Sequence, residues 1–304
     1  MAMGKRVSVI IPTKGRADQL REALLSLSWQ TNPVHELILV DDSSADDYSQ
    51  NESIVHEFKA AHDESFAIHH LKGRGIGAAD ARNQGAGSAD GEIFFFIDDD
   101  VVLERDYVKH MISSFSDEEV AGVTGVITNA RIPGKRWLLF SQLFCLSTVS
   151  RFRGYMRRSG YPCYLLDGRE PTPVDVMSGS NMSLRRDVFL KHLFDYRLSG
   201  YSYLEDADLS YRVSRKHRLL LNPSCCLVHN SIDKGVNENY YMIKTSYHRY
   251  IFKKNMATSW LNRSCYVLSL IADLILVTDR ARKEGNKRLV AAALSGLSPK
   301  NGPK

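Results

Sequence analysis

The 304-residue chain has few cysteines, a small net charge and no long run of apolar residues. Its five cysteines are odd in number and include no C-x-x-C pair, which argues against both a disulfide framework and a thiolate zinc site. The nearest approach to a membrane span is the stretch from Tyr266 to Val277, which Asp273 interrupts. Because a spanning helix needs about 20 apolar residues, we expect a soluble or surface-bound protein.

The charge balance and the N-terminus argue against two further classes of protein. Forty basic against 35 acidic side chains give a net charge of +5, which is too small to require a nucleic-acid partner. The apolar stretch before Pro12 is too short for a secretion signal. Hydrophobic residues make up 43% and charged residues 25%, as in ordinary globular proteins. We therefore expect a cytoplasmic protein, with the inner face of the membrane as an alternative location.

The first third of the chain alternates strands and helices. Four short apolar runs predict buried strands at 7–11, 37–40, 66–71 and 92–97. Between them, apolar residues recur at helical spacing, as in Leu20, Leu24 and Leu27. Strands that are apolar on both faces and separated by helices predict an α/β fold, with a mostly parallel twisted sheet and helices on both of its faces.

The chain after Val120 follows a different pattern. No acidic residue occurs between Val120 and Leu166, while basic and aromatic residues are frequent there. An amphipathic helix is predicted from about Tyr240 to Lys254, and the last forty residues also have helical periodicity. The sequence thus predicts a helical C-terminal extension.

Polar clusters follow each of the four predicted strands. In an open parallel sheet, ligands bind outside the carboxyl ends of the strands. The clusters at this edge are Pro12-Thr13, Asp41-Asp42, Arg74 to Gly77, and Asp98-Asp99-Asp100. We expect them to lie close together.

The three consecutive carboxylates are the strongest indication of a site. Like charges this close repel one another unless a cation or hydrogen-bond donors compensate. Period-two alternation places Asp98 and Asp100 on the same side of the chain, where they can share Mg²⁺ or Mn²⁺ with a nucleotide diphosphate. A solvated turn that caps the following helix is the alternative interpretation.

Three other groups of residues have both a functional and a structural interpretation. Asp42 fits a binding loop, a turn or a helix cap equally well. Asp206, or Glu205 beside it, fits a general base, but acidic residues in a first helical turn also stabilise the helix dipole. His229 ends a later strand and fits either a metal ligand or a structural histidine.

The order of these motifs resembles the inverting family-2 glycosyltransferases of the GT-A fold. Residues 6 to 255 carry the resemblance, which depends on the ordered set and not on any one motif. The matching segments are 7–13 (VSVIIPT), 30–31 (QT), 39–44 (LVDDSS), 81–85 (ARNQG), 91–93 (GEI), 97–100 (IDDD), 179–182 (GSNM) and 204–212 (LEDADLSYR).

The resemblance implies a role for each matching position. Asp206, with Glu205 as the second choice, would be the catalytic base. The metal ligands would be Asp100, Asp98 and His229. The donor nucleotide would contact Pro12, Thr13, Asp42, Arg82, Asn83, Asp98 and Asp99. The acceptor would lie against Gly179, Ser180 and Asn181.

The resemblance also implies a domain organisation and a reaction. Residues 1–235 would form the catalytic domain, with a nucleotide-sugar-binding half at 6–130 and an acceptor-binding half at 131–235, followed by a helical extension at 236–304. A hexosyl or deoxyhexosyl group would pass, with inversion, from a nucleotide sugar, such as a UDP- or dTDP-sugar, to a hydroxyl of a glycan or lipid-linked acceptor. Mn²⁺ or Mg²⁺ would be the cofactor. A homo-oligomer is compatible with this interpretation.

Two other functions remain open on the sequence alone. Nucleotidyl transfer uses a similar sheet and metal, but it favours a glycine-rich basic loop after the first strand, and residues 12–16 (PTKGR) resemble one only weakly. A degenerate transferase fold that acts as a binding or membrane-docking module is the second. The presence of Asp98, Asp100 and Asp206 favours retained chemistry.

The basic, aromatic segment at 131–158 suggests a membrane contact. One hypothesis is that Trp137 and Phe140, with Arg151, Arg153, Arg157 and Arg158, meet anionic lipid or a lipid diphosphate acceptor. The helix 240–254, with Lys244, Arg249, Lys253 and Lys254, would extend that surface. A basic face packed on the sheet, or an oligomer contact, is the alternative.

Overall fold

The computed structural model describes residues 5–61, 66–198, 200, 203–230 and 237–303. The strands are β1 (Val7–Thr13), β2 (Glu36–Asp41), β3 (Ala67–Lys72), β4 (Ile93–Ile97), β5 (Val101–Leu103), β6 (Val120–Ile127), β7 (Thr148–Ser150), β8 (Tyr155–Met156), β9 (Pro162–Leu165), β10 (Thr172–Pro173), β11 (Asn181–Arg185) and β12 (Arg218–His229). The helices are α1 (Ala17–Ser28), α2 (Ala45–Ala61), α3 (Ala78–Ser88), α4 (Tyr107–Ser114), α5 (Lys135–Leu143), α6 (Arg186–His192), α7 (Glu205–Ser214), α8 (Glu238–Ile251), α9 (Trp260–Glu284) and α10 (Arg288–Ser295).

Nine of the described strands form one sheet, in the order β10-β12-β6-β11-β4-β1-β2-β3, with β5 paired to β12. The strands β4, β1, β2 and β3 are parallel neighbours, which confirms the predicted arrangement of the first third. The strand β11 runs antiparallel between β4 and β6, so the complete sheet is mixed. The smaller sheet is β7-β9-β8.

Helices cover both faces of the sheet, as the apolar strands predict. Leucines of α1, with apolar residues of α2 and α4, pack on one face. Residues of α3, α6 and α7 pack on the other face. The strands β1, β2 and β4 are buried along their whole length, because each is covered by helices on both sides. The α/β fold class is confirmed.

The C-terminal helices pack on the part of the chain between α5 and α7. Tyr247 and Ile251 of α8 and Ala272 of α9 share an apolar cluster with Tyr161 and Leu204. A π-helical turn (Phe252–Met256) joins α8 to the segment before α9. The helical extension is thus observed, and the predicted boundary at 235/236 remains a prediction, because it falls outside the described residues.

The helix α9 differs from the sequence expectation in its length and apolar character. It has 25 residues, with an 18-residue window of mean hydropathy 1.4, so by length and composition alone it can cross a bilayer. Asp273 lies within this continuous helix, where Lys244 pairs with its carboxylate at 2.6 Å and the hydroxyl of Tyr161 donates to it. The expectation that no segment reaches a spanning length was therefore wrong.

Several basic side chains of the expected lipid surface point inward. Arg157 is buried and donates to the carbonyl of Ser141. Lys244 pairs with Asp273 on α9, and Lys254 pairs with Asp195 and Asp208. Arg249 donates to the carbonyl of Ser298. The contacts of Lys244, Arg249 and Lys254 attach the C-terminal helices to one another and to the rest of the chain. The expected lipid surface was therefore wrong for Arg157, Lys244, Arg249 and Lys254.

Two glycines of α3 provide a matched test of how closely this helix packs on the sheet. A Cβ at Gly85 would lie 2.6 Å from Cγ2 of Ile10, whereas a Cβ at Gly87 would meet nothing within 4 Å. We expect Gly85→Ala to lower the free energy of unfolding by about 1–3 kcal/mol through overpacking. Gly87→Ala should leave it unchanged or raise it by up to about 1 kcal/mol. Urea unfolding measures both, and equal effects would contradict the packing of α3.

Candidate active site

The carboxyl ends of β4 and β12 bring three potential metal ligands together. The strand β12 pairs with β5 so that His229 lies opposite Val101, next to the acidic triplet. Asp98, Asp100 and His229 each offer one ligand atom, and the three atoms lie within 4.8 Å of one another. Two carboxylate oxygens and an imidazole nitrogen at this spacing suit a divalent cation. All three predicted ligands therefore meet at one point.

Two nitrogen groups, the guanidinium of Arg16 and the imidazole of His229, flank the carboxylate of Asp100. The guanidinium of Arg16 approaches its Oδ2 at 2.5 Å, and Nε2 of His229 lies 3.0 Å from its Oδ1. Burial raises the pKa of Asp100, but the hydrogen bond from His229 and the charge of Arg16 outweigh burial and hold it below its ordinary value. Burial lowers the pKa of His229, and the hydrogen bond to Asp100 reverses that shift and raises it.

Asp99 lies behind the site and not on its open surface. Its side chain is 0% exposed, accepts a 2.6 Å hydrogen bond from the hydroxyl of Thr13, and pairs with Arg16 at 3.1 Å. Burial raises the pKa of Asp99 to about 6. Arg16 and Thr13 enclose the carboxylate of Asp99, and its expected contact with the donor stays a prediction. Thr13 is likewise engaged, and Pro12 is buried in β1 opposite Val40.

Arg82 on α3 connects the metal-ligand cluster to the helix that carries the candidate base. Its guanidinium donates to Asp98 at 2.8 Å and to Glu205 at 3.0 Å, and the side chain is 3% exposed. Burial lowers its pKa, but the two carboxylates outweigh burial and raise it, so Arg82 stays charged. Arg82 lies between these two carboxylates, and its expected contact with the donor stays a prediction.

Glu205 and Asp206 lie in different surroundings although they are neighbours in the chain. Glu205 faces Arg82, and burial raises its pKa to about 7. Asp206 accepts hydrogen bonds at its Oδ2 from the backbone N–H of Gly179 (2.9 Å) and the hydroxyl of Tyr164 (3.0 Å). Burial raises the pKa of Asp206, and these hydrogen bonds oppose that shift. Asp206 is the more exposed of the two, which favours it as the base.

Asp42 holds the loop between β3 and α3. Its carboxylate accepts hydrogen bonds from the backbone N–H groups of Gly75 (2.7 Å) and Gly77 (3.2 Å). A Cβ at Gly73 would lie 2.0 Å from Oδ1 of Asp42, so this approach requires glycine. The loop at 73–77 therefore lies beside Asp42, as the sheet-edge argument predicts.

The two asparagines predicted as ligand contacts, Asn83 and Asn181, form hydrogen bonds with other segments of the chain. The Asn83 amide exchanges two hydrogen bonds with the backbone of Phe194. Asn181 is fully buried, and its side chain accepts hydrogen bonds from Thr124 and the backbone of Gly125. The donor contact expected of Asn83 and the acceptor contact expected of Asn181 stay predictions, and in this structure both amides bind other parts of the chain.

The other two residues of the predicted acceptor-binding segment are also enclosed. Ser180 is nearly buried, and its hydroxyl bonds that of Ser178. Gly179 is buried as well, but its backbone N–H reaches Asp206. The segment 179–181 therefore contacts the candidate base through its backbone, and its expected role in binding the acceptor stays a prediction.

Two residues that the sequence argument missed complete the site. Arg16 follows Gly15, whose φ of +61° lies in the left-handed region, and this turn directs Arg16 towards the acidic triplet. The signal for Arg16 was present, because it lies in the loop after the first strand. Tyr164 lies on β9, more than 40 residues from Asp206 along the chain. No local pattern identifies such a long-range partner.

Arg16 and Arg21 provide a second matched test, which compares a buried with an exposed ion pair. Arg16 directly precedes α1, Arg21 lies within it, and both form ion pairs. Arg16→Met should lower the free energy of unfolding by about 3 kcal/mol, because it leaves Asp99 and Asp100 buried without their guanidinium. Arg21 pairs with Glu57 in solvent, so Arg21→Met should cost no more than about 1 kcal/mol. Denaturant unfolding at neutral pH measures both. Mn²⁺ should raise the free energy of unfolding of the Arg16 variant more than that of the wild type. Equal losses of stability in the Arg16 and Arg21 variants would contradict the charge balance described here.

Comparison with known proteins places this geometry in a family. The sequence model described as glycosyl transferase family 2 matches residues 8–193. EpsH of Bacillus subtilis, which its name classes among the glycosyltransferases, is 36% identical over 112 residues, or 37% of this chain and 31% of that protein. The glucosyl-dolichyl phosphate glucuronosyltransferase of Haloferax volcanii is 23% identical over 189 residues, or 61% of this chain and 54% of that protein. The matches thus span only part of the length of these relatives.

Solved structures share the fold at low identity. The mannosyltransferase PcManGT from Pyrobaculum calidifontis, in complex with GDP-Man and Mn²⁺, has a TM-score of 0.63 at 16% identity and covers 98% of this chain and 89% of that chain. GalNAc-T7 with UDP, GalNAc and Mn²⁺ has a TM-score of 0.64 at 17% identity and covers 83% of this chain and 48% of that chain. Both are GT-A glycosyltransferases. With the family match extending over more than half of its length, the chain belongs to glycosyl transferase family 2.

Proposed function

We propose that the chain is an inverting, metal-dependent glycosyltransferase that moves a sugar from a nucleotide-sugar donor to an acceptor hydroxyl. The observation that carries this proposal is the group of ligand atoms of Asp98, Asp100 and His229 within 4.8 Å of one another, together with Arg82, which pairs with both Asp98 and Glu205. This arrangement supports a cation site close to the candidate base Asp206. Family membership supports the reaction class.

Asp98, Asp100 and His229 would hold the cation, and their oxygen and nitrogen atoms fit Mn²⁺ or Mg²⁺. A bound divalent cation supplies Lewis-acid stabilisation of the departing diphosphate. Arg16 pairs with Asp100 and Arg82 pairs with Asp98, so these ion pairs orient the two carboxylates without a bound cation. Asp99 acts through Arg16 and Thr13 as a positioning residue.

Asp206 would act as the general base. A carboxylate beside the acceptor hydroxyl takes its proton while the new C–O bond forms, which makes the hydroxyl a competent nucleophile. Attack from the face opposite the leaving nucleotide inverts the anomeric carbon, and no covalent enzyme intermediate is required. The Gly179 N–H and the Tyr164 hydroxyl hold Asp206 in one orientation, while Arg82 engages Glu205.

The donor and acceptor regions follow from the same edge. We assign the nucleotide to the region of Pro12, Thr13 and Asp42, at the ends of β1 and β2, with a UDP- or dTDP-sugar as donor and a hexosyl or deoxyhexosyl group transferred. Next to Tyr164, a cavity of about 160 Å³ is lined by Leu166, Val176 and Ser178 among others. Its lining is mainly apolar and includes Tyr164, whose hydroxyl donates to Asp206, so it suits a glycan or lipid-linked acceptor with an apolar part. The reaction would occur in the cytoplasm, at the inner face of the membrane.

The first test separates cation binding, donor binding and chemistry. Mn²⁺ should raise the melting temperature in the presence of one class of nucleotide among UDP, GDP and dTDP sugars, and Asp100→Ala should abolish that rise. Asp117→Ala, which removes an exposed carboxylate paired with Arg218, is the control and should keep it. Asp206→Asn should bind donor as the wild type does and lose turnover by at least about 100-fold. Full turnover in Asp206→Asn would refute its assignment as the base.

Tyr164→Phe tests how the base is tuned. The tyrosine hydroxyl donates to the ionised form of Asp206 and thereby lowers its pKa against the raising effect of burial. Since a general base works in its ionised form, turnover rises with pH through this pKa. Removing the hydroxyl should shift the rising limb of the pH profile of kcat to higher pH and leave donor affinity unchanged. An unshifted limb would contradict the role of Tyr164.

A further inference from the structure

The helix α9 is apolar on two sides, and only one of them is packed. Ala272, Tyr266 and Leu276 pack in the apolar cluster that contains Tyr161 and Leu204. Val277 and Ala281 pack in a second cluster with residues of α10. The opposite side carries six exposed apolar residues, namely Trp260, Leu261, Val267, Leu268, Ile271 and Ile275. At 3.6 residues per turn these six fall within an arc of about 120°. We call this arc the outer face of α9.

A second exposed apolar group lies on the neighbouring helix α5. Trp137, Leu139 and Leu143 are exposed there. Phe140 and Phe144 pack into the same apolar cluster as Tyr266 of α9. The thiol of Cys145, two residues past the end of α5, interacts with that of Cys265 on α9. The exposed residues of α5 and the outer face of α9 therefore belong to adjacent parts of the surface.

The charge around this surface is mainly basic. Exposed basic residues of the acid-free segment are Arg131, Lys135, Arg136, Arg151, Arg153 and Arg158, of which Arg153 pairs with Asp175. Between Trp260 and Thr278 the charged residues of α9 are Arg263 and Asp273, and Lys244 neutralises Asp273 on the packed side. Beyond Ile275 the next charged residue of α9 is the exposed Asp279, which pairs with Lys283 at 2.6 Å. An apolar surface with a mainly basic margin complements a bilayer with anionic headgroups.

We propose that the outer face of α9, together with Trp137, Leu139 and Leu143 of α5, docks on an anionic lipid bilayer with α9 lying in the plane of the interface. The in-plane orientation follows from the packed side, where Asp273 binds Lys244 and Tyr161. A spanning α9 would carry α8 into the hydrocarbon with it, and α8 bears Glu238, Lys244 and Arg249. Docking on one side leaves all of these groups in water or in protein.

This surface extends the proposed function without depending on it, since docking needs neither cation nor donor. It would hold the active site near acceptors that are anchored in the membrane. The mutated positions lie outside the site, so donor binding to the same protein serves as an independent measurement. A protein that binds nucleotide and Mn²⁺ but no vesicles would overturn the docking surface alone.

Vesicle sedimentation of the full chain tests the proposal. The wild type should bind vesicles of equal parts phosphatidylcholine and phosphatidylglycerol, and Leu268→Ser/Ile271→Ser/Ile275→Ser should lower its partition coefficient by at least about tenfold. The matched control is Trp29→Ser/Leu190→Ser/Tyr196→Ser, which removes three exposed apolar side chains elsewhere and should bind as the wild type does. Unaltered melting temperatures verify that both variants fold. Equal binding by the wild type and the α9 variant would overturn the proposal.

Two further measurements separate the lipid surface from other occupants. Arg136→Ser/Arg151→Ser/Arg158→Ser should weaken binding to the anionic vesicles and leave binding to phosphatidylcholine vesicles unchanged. Brominated lipids should quench Trp260, and a tryptophan introduced by Ile275→Trp, at the same shallow depth. Quenching of the two at different depths would overturn the in-plane orientation. A dimer that dissociates in the α9 variant, with no vesicle binding by the wild type, would assign this surface to a second copy of the chain.

Discussion

The fold concentrates several negatively charged carboxylates in a small, partly buried volume. The site depends on positive charge that compensates them. Asp98, Asp99 and Asp100 follow one strand, and Glu205 and Asp206 approach them from a helix on the same edge. Arg16 and Arg82 supply permanent positive charge, because a guanidinium does not lose its proton in proteins. An uncompensated buried charge costs several kcal/mol. The two arginines therefore make the carboxylates compatible with folding, and the same contacts orient the side chains that would hold a cation.

Those features of the fold and the site that depend on periodicity could be predicted from the sequence. Apolar runs such as 7–11 and 92–97 are buried on both faces, and they form adjacent parallel strands. Because carboxyl ends of parallel strands share an edge, the approach of Asp42 and the 73–77 loop was predictable, and the same reasoning with period-two alternation placed Asp98 beside Asp100. The position of His229 at the end of a strand left a metal ligand and a structural histidine both open, because the pairing of β12 with β5 has no local signature.

The hydrogen-bond and ion-pair partners of the polar side chains could not be predicted from the sequence. Asn83 and Asn181 lie in motifs that resemble ligand contacts, yet the backbone of Phe194 and the hydroxyl of Thr124 already occupy them. Tyr164 reaches Asp206 through tertiary packing alone. The charge of Asp273 hid the apolar helix α9, because its compensation by Lys244 is a contact between distant residues. Each of these depends on which elements meet in three dimensions.

A crystal structure of the full chain with Mn²⁺ and a bound nucleotide diphosphate tests the central claim most directly. The account predicts an anomalous scattering peak at bonding distance from Asp98, Asp100 and His229, with a diphosphate oxygen completing the coordination. Asp206 should face the open side of the site, on the acceptor's side of the donor sugar. A cation bound elsewhere, or Asp206 directed away from the nucleotide, would contradict the account.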